Sequence, residues 1–469
     1  MTPLLLLFLQ AGAYQSGVQA YTEHRYADAI PFFETAAAGG PQALVSQFML
    51  GNACLLTHQD EKAVRAFAAL FQVAPDSAAA RLLTAGMMLR AKLTGAVTEA
   101  GRALEIDPHM PQAHFILGEA ALSHGDDGQA VAEFDKEIAS NPGFFMAYYQ
   151  LGAAYENRSA WDDAVSALQR AIWLNPNHSG PYALIGKAYL KRGNLDDAAG
   201  ALRHALQMDP QDQAIRQLLD QAQAPPSRDP PSRDRQEAVS IGGREYLAGH
   251  IQAAIPWLEK ARAAGVRSND LFFMLGNSYL QTHQVAKGRT AFADLYGVPA
   301  GSVAARLFTA HMLMRLELED DAEAELDAAV AREPKLPEAH FMLGEIAIYR
   351  AQLDRAVDQL GQEIALNPGF AMAYYRLGDA YTRREDWEQA VPYLQRAVWL
   401  DPTYSGPYIL LGKTYLKTGD LPEAERMLRR ALQMDPKNAS AHYLLGRTLI
   451  QSGHAEEGKK LLRRWEDLK

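Results

Sequence analysis

Prolines recur along this chain at a fixed interval. Pro108, Pro142, Pro176 and Pro210 stand 34 residues apart, and so do Pro334, Pro368, Pro402 and Pro436. Glycines keep register with them at Gly51, Gly118, Gly152, Gly186, Gly276, Gly344, Gly378, Gly412 and Gly446. A period of this length means that one supersecondary unit is copied again and again, each copy burying its apolar face on the next. Such a chain needs no single central core.

The clearest unit runs from Phe145 to His178. Tyr148, Leu151 and Tyr155 recur at spacings of three and four, which is one face of a helix. Trp161, Val165, Leu168, Ala171 and Ile172 repeat that spacing. Between the two runs lies the polar turn Asn157-Arg158-Ser159-Ala160, where Ser159 is expected to cap the second helix, with Asp162 three residues on. The unit is therefore an antiparallel helix pair. Glycine inside a helix costs about 1 kcal/mol relative to alanine, so Gly152 predicts a close approach, with Ala164 as its small counterpart. Pro176 ends the unit, because it lacks an amide proton and turns the preceding residue away from helix. The acidic pairs Asp126-Asp127, Asp162-Asp163 and Asp196-Asp197 fall at the starts of second helices, where negative charge complements the helix dipole.

The sequence Tyr148-x-x-Leu151-Gly152-x-x-Tyr155, followed by Ala164, Leu168, Ala171 and Pro176, resembles the tetratricopeptide repeat (TPR). The resemblance covers nearly the whole chain. It implies an all-α fold, a right-handed superhelical α-solenoid. Six repeats, starting near residues 10, 44, 77, 111, 145 and 179, form a first array over residues 10–222. Ile215, Leu218, Leu219 and Ala222 make one apolar face of a helix that should cap it. Residues 223–235 contain PPSRD twice and read as a proline-rich linker, spanning up to about 35 to 40 Å at roughly 3.1 Å per residue. Residues 236–469 then repeat the first half. Residues 141–176 align without gaps with 367–402, an offset of 226, and FMLGN at 48–52 recurs at 273–277, an offset of 225. This second array holds seven repeats, the last a cap with Leu461, Leu462 and Trp465 on one side.

Composition narrows the functional classes. A formal charge of −10 argues against a nucleic-acid backbone or an anionic membrane as a general partner. A single cysteine, Cys54, leaves no internal disulfide and no cysteine-cluster metal site, and its register predicts a buried thiol. No apolar run reaches the roughly 18 residues of a membrane-spanning helix. No phosphate loop, HExxH or Gly-x-Ser-x-Gly is present, so neither catalytic residues nor a cofactor or metal are expected. His114, His340 and His442 take the place of Tyr148 and should substitute for an aromatic in packing. Residues 3–9, PLLLLFL, precede Ala11-Gly12-Ala13 and resemble a secretory signal ending near residue 13. Export to a periplasmic or extracellular space is the expectation, with a helix extension in a cytoplasmic protein as the alternative.

By resemblance to TPR proteins, the fifth and ninth residues of each repeat face an inner, concave surface. The fifth-residue column includes Phe48, Phe115 and Tyr149 in the first copy and Phe273, Phe341, Tyr375 and Tyr443 in the second. The ninth includes Asn52, Glu119 and Lys187, then Asn277, Glu345, Asp379, Lys413 and Arg447. Rings supply area at low entropic cost and polar groups set register, which suits an extended peptide or a partner helix. The same rings would also serve simply to fill gaps between adjacent helices. A clamp for a chaperone's C-terminal carboxylate is not expected, because Phe48 and Phe273 replace its lysine and the following positions near Leu82 and Leu307 are apolar. The expected function is a non-catalytic scaffold that binds peptide segments or protein surfaces. The alternatives are small-ligand or glycan binding in the aromatic groove, or an accessory role in an enzyme complex.

Overall fold

A computed structural model describes residues 3–40, 42–222 and 233–468 of the chain. Among them are twenty-seven helices and no strand. The expected linker falls mostly on residues 223–232, outside the described residues. The apolar block near the N-terminus lies within one helix, Pro3–Thr22.

Each pair of helices closes as the sequence predicts. In the pair Phe145–Asn157 and Trp161–Leu174, Tyr148, Leu151 and Ala154 of the first helix and Ala164, Val165, Leu168 and Ala171 of the second are buried. A Cβ at Gly152 would lie 2.5 Å from Cγ of Leu168, closer than real carbon atoms approach. The same contact, sixteen residues apart, joins Gly51 to Phe67, Gly118 to Phe134, Gly276 to Phe292 and Gly378 to Leu394. The absent side chain is what lets the second helix seat its large residue.

The turn differs from expectation at Ser159. This residue is not the cap of the second helix: it adopts a left-handed conformation, φ 58°, and Ala160 enters the helix without a side-chain cap. The cause is backbone closure. Ser159 N–H donates to the Glu156 carbonyl and Ala160 N–H to the Tyr155 carbonyl, each at 2.9 Å, so the turn terminates the first helix before the second begins. His58, Lys92, His283, Glu317, Ala351 and Glu385 take the same left-handed conformation at other turns.

The histidines substitute for tyrosine as expected, and in one further respect. Tyr408 hydroxyl donates to the Pro402 carbonyl at 3.3 Å; His340 and His442 place Nε2 at 3.1 and 2.9 Å from the carbonyls of Pro334 and Pro436. The aromatic thus also ties down the proline six residues earlier. His114 instead sets Nδ1 2.7 Å from Glu133. The capping helix Gln213–Ala222 buries Ile215 and Ala222, with Leu218 and Leu219 half-buried.

The helices form two compact units, one of Met1–Ala113 with Leu343–Lys469 and the other of His114–Met342. The first unit thus takes the opening repeats of copy one and the closing repeats of copy two. The second takes the remainder of each.

Candidate protein-binding surface

Within each unit, the helix that closes a fifth repeat is laid against the opening repeats of the other copy. In the first unit, Trp399 on helix Trp387–Leu400 stacks on Phe48, centroids 5.2 Å apart and planes 10° apart. Tyr374 meets Phe71 edge-on at 5.9 Å, Arg396 donates to the Leu70 carbonyl at 2.8 Å, and Arg90 donates to the Leu400 carbonyl. The second unit contains the equivalent set. Trp173 stacks on Phe273 at 5.2 Å and 11°, and Tyr148 meets Tyr296 at 6.4 Å. Arg170 donates to the Leu295 carbonyl at 3.4 Å and Arg315 to the Trp173 carbonyl at 2.8 Å. Cations on the last carbonyls of these helices also oppose the negative end of the helix dipole.

Phe48 and Phe273 are therefore covered on one face by a tryptophan of the other copy, and Phe341 is buried. The other rings of the fifth-residue column are half-buried. Phe115 packs edge-on against Phe144 at 5.1 Å, and Tyr149 tilts onto His178 at 5.4 Å. Tyr375 stands edge-on to Tyr404 at 5.3 Å and Tyr443 tilts against Trp465 at 4.9 Å. A Cβ at Gly180 would lie 2.6 Å from the Tyr149 hydroxyl, so the next repeat leaves room for this ring. Phe115, Tyr149 and Tyr375 each seal a joint between neighbouring repeats with part of their surface and leave part open, while Tyr443 does so within the last repeat.

The ninth-residue column is mostly paired. Asn52 donates to the Phe48 carbonyl of its own helix at 3.0 Å, and buried Asn277 donates to the Tyr246 hydroxyl at 3.4 Å. Lys187 reaches Glu156 at 2.8 Å, Arg376 reaches Glu345 at 2.8 Å, and Arg383 reaches Asp379 at 3.1 Å. Lys413 lies over Trp387 at 5.9 Å, and the exposed Arg447 over Tyr443 at 5.9 Å. Glu119 differs. Burial pushes its carboxyl up to about 7, and its Oε1 has no hydrogen-bond partner.

Six residues that sequence patterning does not single out prove structural here: Trp173, Trp399, Arg170, Arg396, Glu156 and Arg376. A signal for four of them is present in the chain. Arg170 and Trp173 recur unchanged as Arg396 and Trp399 within QRAIWL and QRAVWL, at positions the repeat pattern does not require. Among the described residues no helix is long and apolar enough to cross a membrane.

Models described as tetratricopeptide repeat match residues 91–143, 158–222, 273–337, 369–437 and 415–467, more than half of the chain. Among solved structures, the chain is similar to "Crystal structure of YrrB: a TPR protein with an unusual peptide-binding site", at 22% identity over 39% of this chain and 93% of that one, with a TM-score of 0.34. It is similar to "Crystal structure of MamA" at 22% identity over 34% and 93%, TM-score 0.32. The APC/C hetero-tetramer Cut9-Hcn1 is similar at 14% identity over 96% and 99%, TM-score 0.34. Comparison with curated proteins finds no match. With paired helices closed by glycine against leucine or phenylalanine, a 34-residue period, and family models matching in both halves, this chain belongs to the tetratricopeptide repeat family.

Proposed function

We propose that the protein is a non-catalytic scaffold whose inner helix faces hold segments or surfaces of other proteins. The observation that carries this reading is the state of Phe115, Tyr149, Tyr375 and Tyr443: each is anchored by a second aromatic ring, yet each is only half-buried. Rings held in place lose little freedom when a partner covers them, which favours binding. Glu119, Lys187, Glu345, Asp379, Lys413 and Arg447 lie in the neighbouring column and would set orientation. Asn52 and Asn277 stand beside the stacked Phe48 and Phe273, each with its amide held inside its own copy, by the Phe48 carbonyl and the Tyr246 hydroxyl respectively. Two inner faces on one chain would raise avidity wherever a partner carries two sites.

The test is a full-length variant with Phe115, Tyr149 and Tyr375 changed to alanine. Capture of partners should fall away while helical circular dichroism is retained. Undiminished capture by the folded variant would remove the basis for this function.

A further inference from the structure

The duplication lets one copy serve as a template for the other. In the second copy, Arg376 closes on Glu345, with Nε and Nη2 each 2.8 Å from Oε1, and its guanidinium lies over the Tyr375 ring, 5.4 Å from the centroid. At the offset of 226, the corresponding residues of the first copy are Glu119, Gln150 and Tyr149. The carboxyl and the ring are kept; the guanidinium between them is missing.

Two buried carboxyl oxygens in the first copy have no hydrogen-bond partner. Glu119 Oε1 is buried without a partner. Glu156, with its side chain only 4% exposed, gives Oε2 to Lys187 at 2.8 Å, while its Oε1 is also buried and unpartnered. Burial first, and after it the charges of Glu119 and Glu156, push the Tyr149 phenol upward, so the three groups belong to one locality. A carboxylate removed from water and left unpaired is costly, and a planar guanidinium is the group best shaped to relieve it, bidentate on the carboxylate and flat on a tyrosine.

We infer that the inner face of the first copy receives an arginine side chain from a protein partner at Glu119, in the place that Arg376 fills for Glu345. The inference rests on the reading of these faces as protein-binding surfaces, and adds the chemistry of the bound segment. It also separates the two copies. Around Glu119 and Glu156 the first copy supplies one cation, Lys187, whereas the second sets Arg376, Arg383 and Lys413 against Glu345 and Asp379. The two faces carry opposite balances of charge and do not select the same ligand.

The experiment uses the immobilised full-length chain and three fluorescent dodecapeptide pools, random except for a central arginine, glutamine or glutamate. The wild type should retain the arginine pool roughly tenfold over the glutamine pool, the worth of one hydrogen-bonded charge pair. Glu119→Gln, which keeps the shape, should bring the ratio close to one. So should Gln150→Arg, which rebuilds in the first copy a pair the second copy already accommodates. Circular dichroism of both variants checks that the fold is kept. Retention of all pools without preference for arginine, or a preference that survives both substitutions, overturns the arginine assignment and leaves the scaffold reading intact. Retention of none of the pools by the wild type overturns the assignment together with peptide binding in the groove.

Discussion

Arg396, only 2% exposed, donates through Nε to the carbonyl oxygen of Leu70, 326 residues earlier in the chain. Its counterpart Arg170 reaches the Leu295 carbonyl. These bonds join residues of different sequence copies inside one compact unit, and each is accompanied by a tryptophan stacked on a phenylalanine. The repeats therefore gain stability from a second source besides their neighbours in the stack.

A double-mutant cycle on Phe48→Ala and Trp399→Ala should show a coupling energy of about 0.5 to 1.5 kcal/mol, the amount typical of a stacked aromatic pair beyond its buried area. The cycle on Phe273 and Trp173 should give a similar value, because its geometry is nearly the same. Urea denaturation of the four proteins in each cycle supplies the measurement. Strict additivity would mean that these stacks contribute nothing as pairs.

Glycine substitutions should separate by what their Cβ would meet. Gly152→Ala puts a methyl 2.5 Å from Leu168 Cγ and should destabilise by about 1 to 3 kcal/mol. Gly200→Ala, in the helix Leu195–Met208 with nothing within 4 Å, should stabilise by about 0.5 to 1 kcal/mol through helix propensity alone. Thermal melts of the two variants should move in opposite directions.

Burial lifts the Glu119 carboxyl from 4.5 to about 7, so the folded chain holds this proton more tightly than the unfolded chain does. The resulting contribution to stability is whole below the unfolded value and is lost as pH rises toward about 7. Above that the buried carboxylate costs at most about 3 kcal/mol, since a tenfold difference in proton affinity is worth about 1.4 kcal/mol. Glu119→Gln should thus be nearly neutral at low pH and stabilising at about pH 8. Denaturation curves whose difference does not change with pH would contradict the burial of this group.

Cys54 is fully buried, and burial raises its thiol to about 11. Since the thiolate is the reactive form, the native protein should resist a disulfide reagent at about pH 8 and react only at the rate of unfolding. Rapid labelling under native conditions would show that the helix Ala43–Leu56 opens locally.

Much of this architecture is legible in the sequence because the contacts that define it are short-range. Gly152 meets Leu168 sixteen residues on, and Gly118 meets Phe134 at the same spacing, so a repeating pattern reports these contacts directly. Ser159 misleads because a serine before a helix suggests a cap, while the turn is fixed by the carbonyls of Tyr155 and Glu156. The roles of Trp173, Trp399, Arg170 and Arg396 depend on residues a hundred or more positions away, which no local period encodes. The unpaired state of Glu119 is half-legible: Gln150 stands where the second copy has Arg376, but the pairing of Arg376 with Glu345 needs the structure.

The division of the chain between its two units has a consequence for synthesis. Residues 1–113 share a unit with residues 343–469, so the face of Phe48 and the carbonyl of Leu70 stay uncovered until Trp399 and Arg396 leave the ribosome. At about 5 to 20 residues per second, translating the 326 residues from Leu70 to Arg396 takes roughly 16 to 65 s. During that interval the repeats around Phe48 and Leu70 present apolar surface to whatever chaperone or stray chain is nearby, and repeats made well before the rest of their unit are among the last to be finished.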